Sequence, residues 1–467
     1  MRIRVFLRCL FLLLLISNGY AYAANDTRYI FQVNQAIEDK LFLDCVEPVR
    51  EETGIYRTSN ISIIQHYITE GTMISYTEDV DVSLFDMQED IALLNNEDWS
   101  HAMLGVDYAS KNGLDGTDIT IALIDSGIRN DFAQLTGAAV EQGINYLASP
   151  DSEEWGNTSD SVGHGTFVAS IIVSSEIGLA PKATVVPLKC FDAEKSSVSY
   201  VVSAIYTAVD DYQCDIINLS LGTKADNPFL RAAVSYAYEH GVIMVAASGN
   251  LGNEQTSTGT DVLYYPAAYD EVVSVGAVDA TGQVASFSVQ NESVLITAPG
   301  DGVRGLSRTG TRYKNGSGTS YASPYVTAAA ALAKNADPML EPQRFMELLR
   351  ITAEDAGEDG YDNAYGYGIL NIGLLLAMAR NDCESLILSL RNGSPCVSCY
   401  QPDLVADYRI LFAFYNADGR FAELPVIRDV SQSYVLSNYE LPDGIAAFTI
   451  FTLDREMFVP LTGAKKY

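Results

Sequence analysis

Residues 119 to 127 read Ile-Thr-Ile-Ala-Leu-Ile-Asp-Ser-Gly. A short aliphatic run closed by a polar turn is the pattern of a strand buried on both faces, as strands of parallel sheets are. Runs of the same kind follow at Thr184–Leu188, Ile216–Leu219, Val242–Ala246 and Val272–Val275. Helical patterns fall between or after them at Thr166–Ser174, Val198–Asp210, Leu230–His240, Ala322–Ala336 and Pro342–Thr352. That alternation predicts an α/β domain over residues 99 to 380, with a mostly parallel sheet and helices on both faces. Asp125 then stands at the carboxyl end of a parallel strand, where ligands gather in such folds.

Outside this core the pattern changes. Residues 24 to 85 read as a small α+β module, with strands at Tyr29–Val33 and Thr72–Tyr76 and a polar helical stretch around Gln35–Lys40. Glu78 to Asp98 holds eight acidic residues and no basic one, which suggests an exposed acidic connector, placed at 86 to 98. From residue 381 to 467, period-two segments at Tyr408–Tyr415, Ala446–Leu453 and Met457–Pro460 predict a small all-β domain. Residues 1 to 23 carry Arg2, Arg4 and Arg8, the apolar run Cys9–Ile16 and a small-x-small site at Ala21 to Ala23, the layout of a secretory signal peptide. The apolar run is too short for a membrane span, which needs about 20 residues in a helix. The expectation is a secreted protein with no membrane span in the mature chain.

The chain has 467 residues, 48% of them hydrophobic and 19% charged, so a mostly disordered protein is excluded. A formal charge of -31 repels phosphate backbones and anionic lipid, so nucleic acid is not an expected partner. Beyond the signal segment stand Cys45, Cys190, Cys214, Cys383, Cys396 and Cys399, too few for a disulfide scaffold in a chain of this length. Cys396 and Cys399 form a Cys-x-x-Cys, but no histidine follows His240, so a zinc site is poorly supplied; a local disulfide or two free thiols both remain open.

Four histidines, at 66, 101, 164 and 240, bound the choice of an imidazole base. His164 alone lies between two glycines at a helix entrance, where a second chain can approach it. Ser320 follows Asn315-Gly-Ser-Gly-Thr319 and enters an alanine-rich helix, so free N–H groups and the positive end of the helix dipole favour a nucleophile there. Asn250 follows a buried strand through Ala247, Ser248 and Gly249, and a side-chain amide so placed can donate to a developing oxyanion. Each residue also has a plain structural reading: Asp125 as a turn former, His164 as a core residue, Ser320 as a helix cap, Asn250 as part of a Gly-Asn turn.

Taken together, the four blocks resemble those of subtilisin-like serine proteases of the secreted bacterial type. They are Ile-Ala-Leu-Ile-Asp-Ser-Gly at 121 to 127, Gly-His-Gly-Thr at 163 to 166, Ala-Ser-Gly-Asn at 247 to 250 and Gly-Thr-Ser-Tyr-Ala-Ser-Pro at 318 to 324. The likeness runs over about residues 100 to 375. It implies a secreted serine endopeptidase in which Ser320 attacks, His164 carries the proton, Asp125 orients the imidazole, and Asn250 with the Ser320 N–H holds the oxyanion. It further implies an extended substrate pairing with two edges, Ser220-Leu221-Gly222 and Ala247-Ser248-Gly249. Tyr264 would lie at the floor of the primary pocket, with Leu251 near its mouth, so that small or medium uncharged side chains are expected before the cut. The chemistry implied needs no cofactor. A structural calcium ion is left open, because Val173–Pro181 is short where several relatives carry an Asn-rich calcium loop.

Phe167, Tyr321, Tyr325 and Ala328 depart from the family pattern, which usually has His, Met, His and Gly there. The module before residue 86 resembles the family's propeptide and is expected to act as an intramolecular inhibitor. No Lys or Arg occurs between Arg57 and Lys111, so self-cleavage with a new N-terminus between Val82 and Asp98 is the expected maturation. The C-terminal segment is similar to small β domains appended to secreted enzymes of Gram-positive bacteria. A catalytically silent subtilase-fold binding protein is the alternative. An esterase of the α/β-hydrolase type is disfavoured, because no Gly-x-Ser-x-Gly surrounds Ser320.

Overall fold

The computed structural model describes residues 27–34, 46–69, 71–85, 99–135, 137–252, 262–309, 313–358 and 360–380, and beyond these the backbone of strands between 387 and 466. Contacts divide the chain between Asp79 and Val80, ahead of the module end expected at residue 85. The N-terminal unit holds β1 (Tyr29–Val33), β2 (Glu47–Arg50), β3 (Ile55–Thr58), α1 (Ile61–Thr69) and β4 (Met73–Glu78). They form an antiparallel sheet of order β2-β3-β1-β4. Its core is Phe31, Val33, Val46, Tyr56, Ile63 and Ile64, with the Phe31 ring 6.0 Å from those of Tyr56 and Tyr67. The helical stretch expected around Gln35–Lys40 lies outside the described residues, as do the signal segment and the connector 86 to 98.

The second unit opens with β5 (Asp81–Leu84), followed by α2 (Trp99–Leu104), α3 (Asp107–Lys111) and β6 (Thr120–Asp125). Next come the short β7 (Ala139–Val140) and β8 (Ile144–Asn145), α4 (His164–Val173), β9 (Thr184–Lys189), β10 (Lys195–Ser197) and α5 (Val198–Asp210). They lead to β11 (Ile216–Leu219), β12 (Leu221–Gly222), α6 (Pro228–Glu239), β13 (Ile243–Ala247), β14 (Val272–Val278) and β15 (Ile296–Pro299). The hairpin β16 (Val303–Leu306) and β17 (Tyr313–Gly316) precedes α7 (Thr319–Ala336), α8 (Pro342–Thr352) and α9 (Ile372–Ala379). The main sheet runs β15-β14-β13-β11-β6-β9-β7, with β8 also on β9, and every pairing in it is parallel.

Both faces of this sheet are covered. Ile121 and Leu123 of β6 belong to the core packed under α7, while the alternate residues Ala122 and Ile124 are equally solvent-free on the opposite face, where α5 lies against β6 and α6 against β13. Helix α7 is buried from Thr319 to Lys334, which is why its sequence is apolar nearly all round instead of striped. From β6 the chain builds β9 on one side and β11 on the other. A crevice therefore opens at the carboxyl end of β6, the switch point where ligands bind in open α/β sheets.

Further along, β18 (Ile387–Arg391) and β19 (Ser394–Ser398) form an antiparallel hairpin. Strands β20 (Tyr408–Asn416), β21 (Val426–Val430), β22 (Ile445–Asp454) and β23 (Lys465–Lys466) form an antiparallel sheet of order β21-β20-β22-β23. The expected strand Met457–Pro460 lies outside the described residues.

Candidate active site

Asp125 is the last residue of β6, fully buried, and its carboxylate receives the Ser126 N–H at 2.6 Å. His164 is the first residue of α4, entered through Gly163 at φ 100°, a left-handed conformation that glycine adopts without steric cost. The imidazole Nδ1 sits 2.8 and 3.0 Å from the two Asp125 oxygens. That pair fixes the tautomer: with Nδ1 protonated toward the carboxylate, Nε2 carries the lone pair that can take a proton.

A clamp of buried polar groups holds the end of β6 to the start of α4. Asp160 accepts from Ser126 Oγ at 2.9 Å, from the Val162 and Gly163 N–H groups at 2.9 and 2.7 Å, and from the Thr166 N–H and hydroxyl at 2.9 and 2.6 Å. Ser126 Oγ in turn accepts the Gly165 N–H at 2.9 Å. Buried Lys189, at the end of β9, donates to the Ser126 carbonyl at 2.6 Å. Burial pulls the Lys189 ammonium below lysine's usual value, against the opposing attraction of Asp160, Asp192 and Asp125.

Ser320 is the second residue of α7, with its hydroxyl 3.0 Å from the Ser220 carbonyl. Helices α4 and α7 pack together, and Tyr321, next in the chain to Ser320, lies against the His164 ring. Asn250 is held from behind: its Oδ1 accepts the Thr319 N–H at 2.9 Å and the Thr319 hydroxyl at 2.8 Å, while Thr319 Oγ1 accepts the Gly249 N–H at 3.1 Å. Those bonds decide which way the amide faces, leaving Nδ2 to point into the cleft.

The cleft is occupied by the chain's own residues 81 to 85. Strand β5 lies antiparallel between β12 and β10, with Leu84 opposite Leu221 and Ser83 opposite both Gly222 and Lys195. Leu84 donates its N–H to Glu194 O at 3.1 Å, and Val80 O accepts the Val198 N–H at 2.9 Å. Beyond the strand, the Phe85 N–H lies 3.1 Å from Ser320 Oγ, and the Phe85 carbonyl accepts from Asn250 Nδ2 at 2.9 Å. A Cβ on Gly318 would come within 2.6 Å of that carbonyl oxygen, so only glycine leaves room for the approach.

The Phe85 side chain fills a pocket with Ala247, Tyr264 and Val289, flanked by Leu251 and Val262. Its ring meets Tyr264 edge to face, with centroids 4.7 Å apart and planes at 74°. A Cβ on Gly222 would reach within 2.6 Å of Phe85 Cζ. Two sequence expectations change here. Tyr264 does not close the pocket to large groups, because its ring walls one side and presents an aromatic partner. The edge Ala247-Ser248-Gly249 does not take the substrate-like strand on its far side; β10 does, and Ala247 packs against Phe85.

The sequence reading did not single out Asp160, Lys189, Thr319, β10 or Phe85. Asp160, four residues before His164 at a helix entrance, carried a capping signal, and Val82-Ser-Leu-Phe85 carried an apolar alternation inside the acidic stretch. Among the described residues no cluster of three or more His, Cys, Asp or Glu side chains is disposed to hold a metal ion. Cys190 and Cys214 are buried free thiols, whereas Cys45, Cys383 and Cys399 fall outside the described residues.

A buried Asp–His pair, a serine at a helix start and a locked amide facing a bound carbonyl thus gather at the carboxyl end of the sheet, the Ser320 hydroxyl donating to the Ser220 carbonyl. The model of the subtilase family matches residues 116–368, more than half of the chain, and the chain belongs to that family. It is 36% identical over 282 residues to the minor extracellular protease Epr of Bacillus subtilis, covering 59% of this chain but 41% of Epr's own length. It is 28% identical over 367 residues to a thermostable alkaline protease of Halalkalibacterium halodurans, covering 77% of this chain and 95% of that protein. It is also 33% identical over 279 residues to subtilisin DY of Bacillus licheniformis, covering 58% and 95% respectively.

Proposed function

We propose that the protein is an exported serine endopeptidase made as a precursor, and that its first substrate is its own Phe85–Asp86 bond. The observation that carries this reading is the Phe85 carbonyl, held by Asn250 Nδ2 at 2.9 Å beside Ser320, at the end of a segment paired as an added strand. Ser320 Oγ attacks the Phe85 carbonyl carbon while His164 Nε2 takes the hydroxyl proton and Asp125 steadies the imidazolium. Asn250 and the Ser320 N–H hold the oxyanion. Collapse of the tetrahedral species breaks the Phe85–Asp86 bond, and His164 returns the proton to the leaving amine of Asp86. Water, deprotonated by His164, then releases Phe85 as a carboxylate and regenerates Ser320.

After the cut, residues 24 to 85 remain as an inhibitor whose C-terminal strand still fills the cleft, and other peptides compete for the same edges. The pocket around Phe85 favours an aromatic residue before the cut. The extracellular assignment of Epr supports export, and no helix among the described residues is long and apolar enough to cross a membrane. The test is the N-terminus of the purified protein: Asp86 in the wild type and an uncut precursor in Ser320→Ala. A Ser320→Ala chain trimmed at the same bond would refute the reading, whereas a wild-type chain that stays uncut and hydrolyses no peptide would leave the silent binding protein as the better account.

A further inference from the structure

The ring beside the general base is a feature of this chain. Tyr321, itself 1% exposed, lies with its centroid 5.5 Å from that of His164, and the two planes meet at 33°. On its other flank stands Phe167, one turn into α4, with centroids 4.1 Å apart and planes at 37°. The two rings therefore form a contacting pair beside the imidazole. Room for the pair comes from the β16–β17 hairpin. A Cβ on Gly316 would fall 2.6 Å from Tyr321 Cε2, and one on Gly305 would fall 2.4 Å from Phe167 Cε1. Any side chain at either glycine would displace one of the two rings.

We propose that Tyr321 is a positioning residue for His164, its ring face backing the imidazole and attracting the imidazolium formed when Ser320 gives up its proton. The 33° tilt makes the arrangement nearer to parallel than to edge-on, and the separation brings the imidazole within reach of the Tyr321 π-system. A cation within about 6 Å of such a face is attracted, whereas a neutral imidazole gains little. An interaction made only with the protonated ring is stronger in the transition state than in the ground state, and therefore raises turnover without tightening substrate binding. Phe167 keeps the Tyr321 ring from swinging away. The inference rests on the role proposed for His164.

The experiment compares Tyr321→Leu, Tyr321→Phe and wild type in mature enzyme on one peptide with Phe before the cut, measuring kcat and KM separately and the melting temperature of each. The face interaction predicts a kcat about 3- to 30-fold lower in Tyr321→Leu, the span expected for a partly desolvated cation on a ring. KM should stay within about twofold of wild type, because binding is not involved. Tyr321→Phe, which keeps the ring, should regain most of the lost kcat. Equal losses in the Phe and Leu variants, or wild-type kcat in Tyr321→Leu, would overturn the proposal. Should Tyr321→Leu fail to fold, Tyr321→Met supplies an adaptable non-aromatic side chain at the same place. A failure of His164 as the base would appear separately, as near-wild-type hydrolysis by His164→Ala.

Discussion

Replacing Phe85 by alanine should slow self-cleavage by about two orders of magnitude. The buried Phe85 ring makes an edge-to-face contact with Tyr264 at 4.7 Å and packs with Ala247 and Val289. Burying a Phe side chain contributes about 1.5–3 kcal/mol, and an aromatic pair adds about 0.5–1.5 kcal/mol. Part of that sum is recovered because the alanine Cβ still occupies the pocket mouth, so a loss of about 2.5–3 kcal/mol is reasonable from the same figures. At 1.36 kcal/mol per tenfold in rate, that is roughly 10²-fold. The tethered precursor reads this loss in its first-order rate in so far as removing the ring lets the segment leave the cleft, because only chains with the bond docked against Ser320 react. The assay is a time course of precursor refolded by dilution, followed by intact mass for the appearance of a chain beginning at Asp86. Self-cleavage at the same bond within threefold of the wild-type rate would show that the Phe85 pocket does not guide the cut.

Three further outcomes follow from the same geometry. Asn250→Ala removes the donor to the Phe85 carbonyl and should lower kcat by about 10²–10³ with little change in KM, measured on a peptide substrate; a KM effect alone would assign Asn250 to binding. Asp160→Ala strands its amide and hydroxyl donors, Ser126, Val162, Gly163 and Thr166. It should cost about 2–4 kcal/mol in denaturant midpoint analysis and lower kcat as well, whereas a loss under 1 kcal/mol would show that water replaces the carboxylate. Burial pushes the Cys214 thiol up to about 12, so at pH 9 only roughly one molecule in a thousand is a reactive thiolate. Iodoacetamide with peptide mapping should leave native Cys214 unlabelled at pH 9 and label it after denaturation, and prompt native labelling would contradict its burial.

The fold was legible where a run of aliphatic residues had to be buried on both sides. β11, α5 and α8 match their expected bounds, and the other expected core elements differ from theirs by a few residues at the ends. β15 escaped because Ile296-Thr-Ala-Pro299 ends on a proline and offers a shorter apolar run. Asp125, His164, Asn250 and Ser320 were legible because each stands at a strand end or helix start with small neighbours, a local signal. What stayed hidden depends on partners far apart in sequence. The Asp160 clamp is built largely on backbone N–H groups, which leave no mark on residue type. The pocket was misread because the identity of Tyr264 says nothing about whether its ring lies across the cavity or along its wall. The second edge paired with residues 81 to 85, β10, is a polar Lys-Ser-Ser strand with no apolar pattern to announce it.

The central claim is that Ser320 is the nucleophile of a peptidase whose cleft accepts the chain's own Val82-Ser-Leu-Phe85 segment. Its most direct test is hydrolysis of a peptide containing Val-Ser-Leu-Phe by wild-type enzyme and by Ser320→Ala, with products identified by mass. The account predicts cleavage after Phe by the wild type and, in Ser320→Ala, a fall to the residual level left when one member of such a triad is removed, about 10³–10⁴ over the water reaction. Hydrolysis by Ser320→Ala near the wild-type rate would contradict it.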